Sequence, residues 1–292
     1  MSHAWRSAED ALRQVTLPIH RWRGVEAELF PDELTVEEPL ELRAAPCERG
    51  EPAGSLAAIM RTPGQDDELA AGFLFSEGLL RRRDELEAFV AGADEDGLPS
   101  PNVLEVRTVP GVDLQQRVRD EGYSRAFAVN ASCGVCGKNS VAQACATLPP
   151  LTADDLVVSP TTLYALPERL RSGQRVFAHT GGLHAAALFD AQGALLAVRE
   201  DIGRHNAVDK LIGRAFLDDR LPLGNLALLV SGRLSFEIVL KALAARIPML
   251  VAVSAPSSMA VDLAEASGIT VAAFLRGETV NVYTHPRRVR PN

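Results

Sequence analysis

Apolar and polar positions follow two different rhythms along this chain. In the second half, short apolar runs alternate with stretches of helical period. TTLYALPERLRSG (161–173) predicts a helix that ends at Gly173. LHAAALFD (183–190) and ALLAVRE (194–200) predict two strands joined through Ala-Gln-Gly as a hairpin. A helix over 204–217 follows, then a buried strand at LALLV (226–230) and a helix from Ser235 to about Ala245. MLVAV (249–253) is another buried strand, and SAPSSMAVDLAEASG (254–268) carries a serine cap and a glycine terminator. ITVAAF (269–274) is a further strand, and VNVYT (280–284) an edge strand. Apolar strands alternating with helices predict an α/β fold: a mixed, largely parallel sheet between helices. The same succession matches a cytidine-deaminase-like layout.

The first half is less regular. Residues 1–20 read as a loose amphipathic lead-in, and 34–44 and 55–61 as strands. RTPGQDDELAAGFLFSEGLL (61–80) opens with a Pro-Gly turn and continues as a helix with an acidic first turn. Residues 91–101 read as a loop, 102–109 as a strand, 110–125 as a polar stretch and 147–155 as a linker. The expected organisation is a lead-in (1–30), a smaller α+β domain (31–126), a mobile Cys-x-x-Cys loop with its linker (127–154), and the larger C-terminal domain (155–292).

Composition narrows the function classes. The net charge of −8 argues against non-specific nucleic-acid binding. No apolar run reaches the roughly 18 residues of a membrane helix, and MSHAWRSAED lacks the apolar stretch of a signal peptide, so a cytoplasmic protein is expected. Four cysteines, Cys47, Cys133, Cys136 and Cys145, are too few for a disulfide scaffold at this length. Of 30 basic residues only Lys138, Lys210 and Lys241 are lysines, and each falls in a motif-like segment.

SCGVCGK (132–138) is the sharpest of those segments. Gly134 and Gly137 free the backbone around both sulfurs, and Lys138 favours a thiolate. Spacing alone leaves sulfur or redox chemistry and metal binding open. A zinc deaminase needs His-x-Glu or Cys-x-Glu and then Pro-Cys-x-x-Cys. Here Ala131 and Ser132 precede Cys133, and Cys47 is followed by Glu48 and Arg49. A structural zinc site needs a second ligand pair, which is missing. HTGGLHAA (179–186), with His184, offers backbone donors for an anionic or planar ligand. REDIGRHNAVDK (199–210) places Asp201, His205 and Asp209 on one helical face at a strand-to-helix junction. SGRLSFE (231–237), with Ser231 and Arg233, and SAPSS (254–258), with Ser254, follow adjacent strands and open helices, which suggests one shared phosphate cradle. FLRGET (274–279) sits near the same edge.

Taken together, these segments resemble the formate dehydrogenase accessory sulfurtransferases, the FdhD family. RTPGQDDELAAGFLFSEG, SCGVCGK, HTGGLHAA, REDIGRHNAVDK, SGRLSFEIVLK, IPMLVAVSAPSS and FLRGETVNVYTHP occur in order across about residues 55–286. The resemblance implies a sulfurtransferase that takes persulfide sulfur from a cysteine desulfurase. It passes that sulfur to the molybdenum bis(molybdopterin guanine dinucleotide) cofactor, bound as a ligand, and so supports formate dehydrogenase. Cys133 would carry the persulfide, with Cys136 auxiliary. Phe274, Leu275, Arg276, Gly277, Glu278 and Thr279 would form the cofactor-binding segment. Ser231, Arg233, Ser254, His184, Asp201 and His205 are the further ligand-site candidates from the motifs above. A homodimer, partnership with the formate dehydrogenase catalytic subunit, and no protein-held metal complete the expectation. The alternatives are a zinc-dependent deaminase-like enzyme and a thiol-disulfide oxidoreductase using Cys133 and Cys136.

Overall fold

The computed structural model describes residues 12–45, 54–94, 96–120, 141–151 and 155–291. The chain opens with two long strands, β1 (Gln14–Arg23) and β2 (Glu26–Thr35), paired antiparallel as a separate hairpin. The expected lead-in is therefore regular structure from Gln14 onward. Val15, Leu17 and Ile19 alternate as a strand requires, but Pro18 and Pro31 interrupt both runs and read locally as breakers.

Next come β3 (Glu38–Ala44), β4 (Gly54–Arg61), α1 (Asp66–Ser76), β5 (Leu86–Ala93), β6 (Pro99–Thr108) and α2 (Leu114–Asp120). Their four strands form one sheet in the order β4-β3-β6-β5. The stretch expected as a loop over 91–101 instead holds the end of β5, a turn and the start of β6, and a register shift at Ala91/Ala93 masks the alternation. Leu40, Leu42, Leu56 and Ile59 of this sheet bury against Leu69, Phe73 and Leu74 of α1.

The second half contains α3 (Val141–Thr147), α4 (Pro160–Gly173), the short α5 (Phe177–Thr180), β7 (His184–Phe189), β8 (Leu195–Asp201), α6 (Arg204–Leu217), β9 (Ala227–Val230), α7 (Phe236–Ala244), β10 (Met249–Ala252), α8 (Ser258–Ser267), β11 (Thr270–Arg276) and β12 (Thr279–Val282). The sheet runs β12-β11-β10-β9-β7-β8. Only the β9–β10 and β10–β11 pairings are parallel; the other three are antiparallel. The expected mixed sheet is found, but its largely parallel character is corrected: parallel pairing is confined to its centre. A parallel pairing needs a crossover element, which α7 and α8 supply, whereas tight turns join β7 to β8 and β11 to β12.

Alternation sorts the strand residues onto two buried faces. Ala186, Leu188, Leu228, Val230, Leu250, Ala252 and Val271 pack against α3, α6, α7 and α8. Ala185, Ala187, Leu229, Met249, Val251 and Ala272 pack against Leu163, Leu166 and Leu170 of α4. The two sheets are joined where α1 crosses α6, and the crossing is close. A Cβ built on Gly72 would lie 1.9 Å from the Asp209 carbonyl oxygen, and one on Gly213 1.7 Å from that of Glu68. Only glycine permits this approach.

Candidate functional site

Because β9, β10 and β11 run parallel, the chain leaves all three at one edge, where α/β sheets present ligand-binding loops. The antiparallel β7 begins at that edge. Backbone bonds lace the loops together. Val253 N–H donates to the Val230 carbonyl at 3.3 Å, Leu234 N–H to Ala255 at 3.1 Å, Ser257 N–H to Leu234 at 2.9 Å, and Phe274 N–H to Ser254 at 3.2 Å. Ser231 locks onto β7: its N–H donates to the Ala185 carbonyl, and its Oγ accepts from Ala185 N–H, both at 2.9 Å.

A cleft of about 440 Å³ opens between this edge and the end of α4. Glu168, Arg171, Phe177, His184, Ser231 and Val253 line it, with Gly181 and Gly182 at its rim. So the histidine-flanked glycine pair is part of a cavity wall. Beside it, His184 abuts Gly232, where a Cβ would lie 3.3 Å from its Nδ1 and 3.9 Å from Arg204 Cδ. Burial holds the His184 imidazole below its ordinary pKa, and the Arg204 charge adds to that. Burial pushes His205 down to about 3, helped by Arg204, Lys241 and His184. Both shifts favour the neutral ring at pH 7; Arg204 and Arg233 place positive charge beside His184, and Arg171 and Glu168 line the cleft itself with opposite charges. Arg204 Nε is buried and has no hydrogen-bond partner among the described residues. The sequence reading passed over Arg204 because it looked like an ordinary charged first helical turn. Glu168, Arg171 and Phe177 were missed too, since they face the cleft only once α4 packs on the sheet.

Several expected ligand residues do other work. Asp201 is fully buried and ion-paired to Lys210 Nζ at 2.7 Å. It also accepts from Gly203 N–H at 2.8 Å, Asn206 Nδ2 at 2.8 Å and Thr62 N–H at 3.2 Å. Lys210 donates in turn to the Thr62 carbonyl at 3.0 Å. This is a latch between the two halves, with no face left for a ligand. Arg61, almost fully buried, clasps Asp66 through Nε and Nη2 at 3.1 Å each, which turns the Thr62–Gln65 corner toward that latch. His205 Nε2 meets Ser235 Oγ at 3.1 Å. Asp209 lies behind it, paired to Lys241 at 2.8 Å, and burial raises its carboxyl to about 6 against the pull of Lys241. Leu275 is buried in the core cluster under α4, so it is not a ligand contact.

The phosphate cradle expected after Ser231 and Ser254 is displaced. α7 starts at Phe236 and α8 at Ser258, and the α8 cap Ser257 already satisfies Ala260 N–H at 3.2 Å. Ser231 and Ser254 are loop residues instead. Phe274, Arg276, Gly277, Glu278 and Thr279 are exposed at the end of β11 and in the turn to β12. Phe274 has φ of 54° at a register shift and is 37% exposed. A bulky side chain rarely adopts that backbone, so the strain fixes an aromatic ring outward at the edge. Cys133 and Cys136 lie outside the described residues, as do Cys47 and Lys138.

The fold and this edge define an α/β protein with a cleft at its strand ends lined by His184, Arg171, Glu168 and Phe177. The family model for the FdhD/NarQ family matches residues 37–290, and the chain belongs to that family. A Streptomyces avermitilis protein named sulfur carrier protein FdhD is 53% identical over 264 residues, covering 89% of each chain. A Saccharolobus solfataricus protein of the same name is 42% identical, covering 92% of this chain and 95% of its own. A crystal structure from Desulfotalea psychrophila, assigned as a formate dehydrogenase accessory protein, shares the fold at a TM-score of 0.69 and 22% identity, covering 95% of this chain and 99% of its own. Among the described residues, no helix is long and apolar enough to cross a membrane.

Proposed function

We propose that this chain is a cytoplasmic sulfur carrier for formate dehydrogenase maturation. Sulfur enters at Cys133. Its thiolate attacks the outer sulfur of a cysteine desulfurase persulfide, a new S–S bond forms, and the desulfurase thiolate leaves. The Gly-rich, lysine-flanked motif favours the thiolate needed for that attack. Cys136 is auxiliary, because one sulfur suffices to hold a persulfide. The receiving ligand is a molybdenum bis(molybdopterin guanine dinucleotide), and the loaded ligand passes to the formate dehydrogenase catalytic subunit. The working form is a homodimer, and the six-stranded half follows a cytidine-deaminase-like layout.

The observation that carries the ligand assignment is the strand-end cleft. Arg171 in the cleft, with Arg204 and Arg233 beside its His184, supplies charge for pyrophosphate, and Phe177 in the cleft and Phe274 outward at the sheet edge supply planar surface for bases. Glu168 in the cleft accepts from guanine N1–H and its 2-amino group, a donor pair adenine lacks.

Two experiments test the halves of this reading separately. After incubation with a cysteine desulfurase and cysteine, mass spectrometry should find one added sulfur on Cys133, lost in Cys133→Ala and retained in Cys136→Ala. Calorimetry should find GDP binding more tightly than ADP, with Arg204→Ala and Arg276→Ala weakening GDP while persulfide loading persists. Equal GDP and ADP affinities in all variants would remove the guanine site from this edge.

A further inference from the structure

The β1–β2 hairpin is an arm in search of a surface. Each strand has ten residues, so the arm is roughly 33 Å long. Among the described residues, its polar ties to the body start at its base. Arg13 donates to the Glu200 carbonyl at 2.7 Å, Thr35 bonds Thr180 at 2.9 Å, and Glu33 faces His179 at 3.7 Å. An isolated two-stranded hairpin is at best marginally stable in water. Yet, among the described residues, seven of the thirteen exposed large apolar side chains fall at residues 12–34, so the arm is where their unburied apolar surface concentrates.

The register assigns those residues to faces. Val15, Leu17 and Ile19 lie opposite Leu34, Asp32 and Phe30 on one face. There Arg21 stacks 3.4 Å above the Phe30 ring and approaches Asp32 at 3.8 Å, while Arg23 approaches Glu28 at 3.6 Å. The arm's two arginines are thus engaged within the arm. The other face carries Pro18 opposite Pro31, His20 opposite Leu29 and Trp22 opposite Ala27. Trp22 and Leu29 are 67% and 69% exposed. Beyond Glu33 at the base, this face holds no carboxylate or guanidinium.

The prolines also decide how the arm can dock. Directly opposed prolines cannot exchange N–H···O bonds, so both nitrogens sit on the outer edges, where neither offers a donor. Each edge is interrupted at its centre, which opposes strand addition and open-ended stacking. Docking must use the faces.

We infer that the arm is exchanged between two copies of this chain, each arm laying its apolar face on the body of the other. Three points favour a second copy. Beyond Glu33 at the base the face carries no carboxylate or guanidinium, so laying it on another body desolvates no such charge. A face about 33 Å by 10 Å covers about 330 Å². Two arms stacked on each other would bury only about 660 Å² in total, below the standard interface range. Two arms each on the other body bury about 1,300 Å², inside it. The arm base also sits beside α5, whose Phe177 lines the cleft, so the second copy lies next to the ligand site.

The inference rests on the homodimer reading above and adds the surface that makes it. Analytical ultracentrifugation of the full chain, wild type and Trp22→Ser/Leu29→Ser, tests it. A two-copy wild type is expected, with the dissociation constant raised about a hundredfold or more in the variant. GDP binding at the intact cleft should stay measurable in the variant. A two-copy variant of unchanged affinity overturns the arm and leaves the homodimer standing. A one-copy wild type overturns both. Should the double variant melt low, Trp5→Phe protein gives the second measurement. Trp22 emission should shift to the blue as concentration rises through the dissociation range, and invariant emission overturns the inference.

Discussion

Lys210→Met tests whether REDIGRHNAVDK is a latch or a ligand site. In the native protein Asp201 is surrounded by Lys210, Thr62 N–H, Gly203 N–H and Asn206 Nδ2, and both charges are fully buried. Removing Lys210 leaves a carboxylate in the interior with neutral donors alone, and the Thr62 carbonyl loses its lysine donor. Removing one partner of a buried pair costs about 3–5 kcal/mol. At about 2–4 °C per kcal/mol for a domain of this size class, the melting temperature should fall by about 6–20 °C. The double variant Asp201→Leu/Lys210→Met should recover part of that loss, because no orphan charge remains. Differential scanning calorimetry of the three proteins at pH 7 reads both effects. GDP affinity measured well below the transition should be nearly unchanged in Lys210→Met. A melting shift under about 2 °C, or a large loss of GDP affinity in a still-folded variant, would refute the latch.

Other outcomes follow from the same geometry. Gly213→Ala should destabilise by several kcal/mol or prevent folding, since its methyl would strike the Glu68 carbonyl; expression level and thermal melting report it. His205 has a folded pKa of about 3 against 6.5 unfolded, so the unfolded chain binds more protons between those values and stability rises with pH across that window. Asp209, raised to about 6, acts in the opposite direction between 3.8 and 6, so the difference between wild type and His205→Gln in pH-resolved melts isolates the histidine. Glu85 is held down to about 2 by its hydrogen bond with Arg117; its contribution is present above pH 4.5 and fades toward pH 2, and Arg117→Met should flatten that acid limb. Glu168→Gln should erase the preference for GDP over ADP in calorimetry while leaving persulfide loading on Cys133 intact.

The C-terminal half was legible because its signals are local. Apolar runs such as LALLV and MLVAV stand between helical stretches, and a serine cap and a glycine stop bracket α8; the runs map onto β9 and β10. Parallel pairing was over-read, because strand direction is set by connections and not by composition. The arm was hidden by two prolines whose harmlessness depends on facing each other across the ladder. In the site, glycine and serine turns pointed to the right edge of the sheet. What they could not give was burial: Asp201 and Lys210 look like solvent-facing chemistry in sequence, and only packing against Thr62 makes them interior. Arg204 is the converse case, an ordinary-looking charge whose Nε ends up buried beside His184.

The glycine crossing of α1 and α6 carries a mechanical consequence. Where helices meet through side chains, a layer of rotamers can slide and let two halves rock. Here main chain rests on main chain at Gly72 and Gly213, clamped on one flank by Arg199 with Glu68 and on the other by Ser76 with Asp209. Such a joint has no lubricating layer, so the two sheets behave as a single anvil and cannot close on a ligand like jaws. A ligand at the strand-end cleft therefore meets a wall already set by the fold, and its fit is decided by the lining side chains and not by closure of the two sheets.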